Sequence, residues 1–131
     1  MSSLSVATVK SISSAAPVFQ NSSGTQKGML VGAWVSFNGN AGGSDKPIYD
    51  SYNVSSVADN GSGRYTVNFT NAFANGDYCV AGSHNSISDG VACVNQDGAN
   101  TSNASQFSIL TTLYNGAANP SAVRVIFMGD M

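Results

Sequence analysis

Charge is what this chain has least of. Its 131 residues contain no glutamate, and seven Asp with five Lys and Arg make up only 9% of it, for a formal net charge of −2. Ordinary soluble domains carry about 25% charged residues. The five cations, Lys10, Lys27, Lys46, Arg64 and Arg124, are scattered along the sequence. Phosphate-backbone binding needs such residues clustered, so no nucleic-acid partner is expected. No apolar run approaches the ~18 residues of a membrane-spanning helix, so no membrane insertion is expected either. The first ten residues, MSSLSVATVK, lack a basic segment followed by an apolar one, and no secretory leader is read there.

The scarcity extends to the residues that carry most chemistry. There is one histidine, His84, and there are two cysteines, Cys79 and Cys93. The two thiols lie in residues 77–84 and 88–95, read as a hairpin turning at Asn85–Ser88. A cross-strand disulfide between Cys79 and Cys93 is then open geometrically, and two reduced, half-buried thiols are the alternative. His84 with both cysteines would offer three metal ligands, but neither CxxC nor HxxxH spacing occurs, and an exposed loop histidine is the plainer reading. No G-x-S-x-G elbow supports serine hydrolysis. Paired carboxylates would have to come from loops, with Asp45, Asp50, Asp89 and Asp97 the candidates, and nothing in their spacing sets two across a cleft. The segment AGGSD lacks the GK[ST] ending of a phosphate loop. No catalytic, metal or cofactor site is expected, and no enzyme.

What the chain does have is 42% apolar residues, enough for one packed domain, with surface polarity drawn from Ser, Asn, Thr and Gly. Those residues favour turns and the open faces of strands. A surface so weakly charged gives little protection against association, so a homo-oligomer or a place in a larger assembly is expected.

Residues 1–28, rich in Ser and Ala, keep no steady periodicity and read as an extended N-terminal arm. Residues 29–131 read as strands. Met29–Phe37 (MLVGAWVSF) forms one buried strand with Trp34 in the core, and Ile48–Val57 forms the next, with Tyr52, Val54 and Ser56 on one face. The cluster ADNGSG permits little but a turn at Asp59–Gly63. After it Tyr65, Val67 and Phe69 point inward, and Thr66 and Asn68 outward. Tyr78–Gly82 and Val91–Val94 are short strands. Ser105–Tyr114 alternates with Phe107, Ile109, Thr111 and Leu113 inward; Val123, Val125 and Phe127 do the same, opposite Arg124, Ile126 and Met128. Turns are expected at Asn75–Asp77, Asp97–Gly98 and Asn115–Gly116. The expected fold is all-β: an antiparallel β-sandwich or jelly-roll-like domain behind an N-terminal arm.

Three stretches carry a resemblance: Ala33–Gly39 (AWVSFNG), Ser51–Val57 (SYNVSSV) and Asp59–Thr70 (DNGSGRYTVNFT). In this order they resemble a series found in small structural proteins of tailed bacteriophages, especially phages of cyanobacteria and marine bacteria. The opening MSSLSVATVK and APVFQNSSGTQKG look like the N-terminal segment of the same group, and the likeness fades after about residue 84. It implies a non-enzymatic virion protein, made in the bacterial cytoplasm, homotrimeric, and exposed on the particle. Two positions are open. A capsid decoration (cement) protein would lay residues 1–28 on the major capsid protein. A short tail fibre would dock the same residues on tail proteins and present loops to a host surface glycan. A free carbohydrate-binding module is a third reading. For sugar stacking, Trp34, Tyr49, Tyr78 and Tyr114 come into question, and Tyr49 and Tyr114, beside loops, are the candidate contacts.

Overall fold

The structure is a computed structural model and describes residues 18–29, 31–85, 93–113 and 116–131. The chain divides into two compact units, Met1–Leu30 and Val31–Met131. In the first, β1 (Val18–Gln20) and β2 (Gln26–Met29) pair antiparallel as a hairpin. Asn21 makes its turn: the side-chain Oδ1 accepts from the Thr25 N–H at 2.8 Å, and Gly24 supplies a φ of 77°. Residues 1–17 of the expected arm lie outside the described residues. The composition break at Gly28 falls inside β2, and the unit boundary follows Leu30.

The second unit holds β3 (Ala33–Phe37), β4 (Ile48–Tyr52), β5 (Val54–Asp59), β6 (Arg64–Phe69), β7 (Cys79–His84), β8 (Cys93–Gln96), β9 (Gln106–Leu113), β10 (Gly116–Ala117) and β11 (Val123–Met128). One sheet has the order β4-β3-β11-β7. In the other, β5 pairs β6 and β6 pairs β9; β9 pairs β8 along its opposite edge and the short β10 beyond its turn. All these pairings are antiparallel. Val35, Phe37, Val123, Val125 and Phe127 from the first sheet meet Val57, Tyr65, Val67, Phe69, Phe107 and Ile109 from the second, all buried in one core. This is a β-sandwich, the first of the two architectures expected. The inward sets read from β6 and β11, and Phe107, Ile109 and Thr111 of the set read from β9, are buried as alternation requires, and the Asp59–Gly63 turn is closed by Asn60 N–H donating to the Arg64 carbonyl at 2.9 Å.

Several expectations are corrected. Met29–Phe37 is not one strand, because β2 ends at Met29 and β3 begins only at Ala33. Ile48–Val57 is two strands in different sheets. Asn53 breaks it with a φ of 57°, a conformation Asn tolerates better than most residues. Its amide is held at both ends, Nδ2 donating to the Gly32 carbonyl at 3.0 Å and Oδ1 accepting from the Asn71 N–H at 2.8 Å. Thr66 does point away from the core, yet it is buried. Asn60 Nδ2 donates to its hydroxyl at 2.6 Å, and the hydroxyl of Ser108 lies 3.3 Å away on the other side.

The hairpin expected to align the cysteines does not form. β7 lies beside β11, with Cys79 opposite Met128, while β8 lies in the other sheet with Cys93 opposite Thr112. Gly82 lets β7 close against β8, since a Cβ there would stand 2.8 Å from the Arg124 carbonyl and 3.2 Å from Val94. Cys79 is a free, exposed thiol. Nor is His84 an exposed loop residue: it ends β7 and is buried. Its Nε2 sits 3.1 Å from the Thr112 carbonyl, tying β7 to β9 across the sandwich.

Two ion pairs brace the β5–β6 end. Lys46 Nζ lies 2.6 Å from Asp59, and Arg64 meets the buried Asp97. The Lys46 hydrogen bond holds the Asp59 carboxyl below its ordinary value of 3.8. Burial pushes Asp97 up, but donation from Asn100, the Ala99 N–H and Arg64 outweighs it and leaves Asp97 below 3.8 as well. Both folded values are depressed, so the stabilisation is complete above the unfolded value and is lost as pH falls through the folded ones. Melting temperature should therefore hold level from neutral pH and drop below about pH 4. An Asp97→Asn variant should start lower and drop less. A parent protein whose melting point is unchanged at pH 3 would rule out this contribution.

Candidate functional site

Alternation along β3 sends Ala33, Val35 and Phe37 into the core, so Trp34 and Ser36 must face the other way. Trp34 is accordingly half-buried on the outer face of the sheet, a correction to its expected place in the core. The same rule puts Arg124, Ile126 and Met128 outside on β11, where all three are exposed. The register then assembles the face. Tyr52, Trp34, Ile126 and Ala81 stand side by side on four neighbouring strands, and Asp50, Ser36, Arg124 and Ser83 form the next row. An apolar row thus borders a polar one.

Between Trp34 and β7 the rows enclose a groove of about 370 Å³, its outward lining made by Trp34, Ser36, Ala81, Ser83, Arg124 and Ile126. The groove runs over β11, with Trp34 and Ser36 of β3 on one side and the small side chains Ala81 and Ser83 of β7 on the other. Among the described residues, Lys46 and Arg64 are paired with Asp59 and Asp97, and Arg124 has no carboxylate partner. The exposed lining of the groove is almost wholly apolar, so what the site can offer is an apolar surface.

The sequence-derived candidates fall elsewhere. Tyr49 is 58% exposed and donates its hydroxyl to the Ser121 carbonyl at 2.9 Å, so it remains available as a contact but does not line the groove. Tyr114 lies outside the described residues, as does Asp89. Tyr78 is a core residue, packed on Phe69, Phe73, Phe107 and Phe127. Its hydroxyl reaches the Asn103 and Gln106 carbonyls at 2.9 and 3.0 Å, and burial pushes its pKa up to about 12. Asp97 is committed to Arg64, whereas Asp50 stands in the polar row. Among the described residues no group of three or more His, Cys, Asp or Glu is placed to hold a metal.

Comparison with protein-family models, with curated proteins and with solved structures finds no match. The groove residues were within reach of the sequence by one signal. If Val35 and Phe37 are core, period 2 forces Trp34 outward, and Arg124 between two valines follows the same logic.

Proposed function

We propose that this chain is a non-enzymatic structural protein of a bacteriophage particle, displayed on the capsid as a decoration (cement) protein. The observation that carries the reading is the division into a small N-terminal unit and a sandwich with its own closed core. A surface knob with a separate attachment segment needs that organisation, because the knob must fold without help from the part that docks. Residues 1–28 attach to the major capsid protein, and three copies of the sandwich stand together at a symmetry axis. The weakly charged surface and the resemblance of residues 1–84 support the same reading. A second reading, a short tail fibre or a free module that binds a host surface glycan, is favoured by one feature: the outward Trp34 and Tyr52 on an open sheet face.

Removing residues 1–30 tests the attachment role. The truncated sandwich is expected to melt cooperatively within a few degrees of the full chain, yet to no longer co-sediment with particles that lack the native protein. Normal decoration by the truncated chain would show that attachment lies elsewhere.

A further inference from the structure

We infer that the outer face of the β4-β3-β11-β7 sheet is where copies of this chain meet, so that what covers Trp34 is a second copy. The two outer faces of the sandwich differ in kind. On the β5-β6-β9-β8 sheet, outward side chains hydrogen-bond to one another: Asn68 Nδ2 donates to the Ser56 hydroxyl at 3.0 Å, and Asn95 Nδ2 to the Thr112 hydroxyl at 3.1 Å. Such a face needs no partner. On the β4-β3-β11-β7 sheet, Tyr52, Ile126 and Met128 are exposed beside the half-buried Trp34, and the exposed lining of the groove is almost wholly apolar. Apolar side chains gathered in one exposed patch mark a contact surface.

The register says why the occupant is the chain itself. Tyr52 with Asp50 on β4, and Ile126 with Arg124 on β11, stand one strand to either side of Trp34 and Ser36 on β3. They are two halves of one contact: an aromatic ring with a carboxylate, and an aliphatic chain with a guanidinium. Asp50 and Arg124 are the only Asp, Lys or Arg of the four strands, so copies meeting here bring opposite charges with no excess of either sign. When copies turn this face toward a shared axis, the β4 side of one lies against the β11 side of the next. Tyr52 then packs on Ile126 of the next copy, and Asp50 stands beside its Arg124. Each copy offers both halves, so a ring closes with none left over. The inference rests on the proposed function for the number of copies, three, and for nothing else. The plate is small. Four strands about 4.8 Å apart, of five or six residues rising about 3.3 Å each, cover roughly 19 by 18 Å. That is the low end of specific interfaces, so a weak, concentration-dependent association is expected.

Sedimentation equilibrium of the full chain over a concentration series reads the mass. Emission from Trp34, the sole tryptophan, reads whether this face is covered. Mass is expected to rise with concentration while the emission moves to shorter wavelength. Ile126→Asp, at an exposed position, should keep the native circular dichroism and weaken association about thirtyfold or more. Asn95→Asp adds the same charge to the opposite face and should leave association unchanged. Arg124→Asp should weaken it, and Asp50→Arg in the same chain should restore it, because the two residues meet between copies. A chain that stays monomeric at every concentration would overturn the inference. So would association that Ile126→Asp leaves unchanged, or that the doubly exchanged chain fails to recover. If a trimer forms and Ile126→Asp does not weaken it, this inference falls and the three-fold display stands. If the chain is monomeric, its place on the capsid is still judged by the particle itself.

Discussion

Phe69→Asp leaves the sandwich unfolded at room temperature. Phe69 is 8% exposed and meets Phe73, Phe127 and Tyr78 edge-to-face at centroid distances of 4.9, 5.0 and 5.7 Å. It is the ring through which β6 locks onto β11 of the opposite sheet. Losing an aromatic side chain from such a site costs about 3–5 kcal/mol. An unpaired carboxylate among three rings adds a desolvation penalty that no neighbour offsets. The sum reaches the whole stability of an ordinary domain, about 5–15 kcal/mol. Phe69→Leu should fold and lose a small fraction of that, which separates the effect of charge from that of shape. Circular dichroism with thermal melting reads both variants. Native-like melting of the Asp variant would mean that the inward face of β6 is assigned backwards.

The second large effect comes from a residue with no side chain. Gly63 has a φ of 67°, and a Cβ there would stand 2.8 Å from the Thr111 carbonyl and 2.9 Å from both N and O of Ala118. All three are backbone atoms, so no rotamer change relieves the contact. The crowding has a purpose. Gly63 O accepts from the Thr111 N–H at 2.8 Å, and its N–H donates to Asn119 Oδ1 at 2.6 Å, joining the start of β6 to β9 and to the segment after β10. Gly63→Val forces a branched side chain into the left-handed region, where even unbranched residues lose about 1–2 kcal/mol, and into the backbone as well. Its expected loss is at least ~3 kcal/mol in urea denaturation. Gly61 provides the control: its φ is 112°, but nothing lies within 4 Å of a Cβ there. Gly61→Ala should therefore show the backbone strain alone and remain folded. If the Gly63 and Gly61 variants lose equal stability, the close approach at Gly63 is not real.

The contrast between those glycines marks where sequence reasoning succeeds and where it stops. Alternation in Arg64–Phe69, Gln106–Leu113 and Val123–Met128 is a local property, so the core faces of β6, β9 and β11 were legible. The turn at Asp59–Gly63 was legible for the same reason. Asn53 was not, because an unbroken polar–apolar pattern runs through the point where the chain changes sheets. Its left-handed φ is held by Gly32 and Asn71, both distant in sequence. β7 and β8 misled in a related way, since two short runs around a polar segment look like a hairpin whether they share a sheet or face each other. His84 and Thr66 were misplaced because their burial depends on Thr112 and Ser108, partners that only the tertiary fold supplies. Trp34 failed for the opposite reason. Its local pattern was correct, but a preference for burying tryptophan was allowed to override period 2. That misplacement hid the groove, whose other side chains come from strands far apart in the chain.

Locating the chain in an electron cryomicroscopy reconstruction of the particle tests most directly the proposal that this sandwich is a knob on a phage capsid. Sandwich-sized density is expected in groups of three on the outer surface of the shell, joined to the major capsid protein through residues 1–28. Density confined to the tail, or a purified particle without the protein, would contradict it.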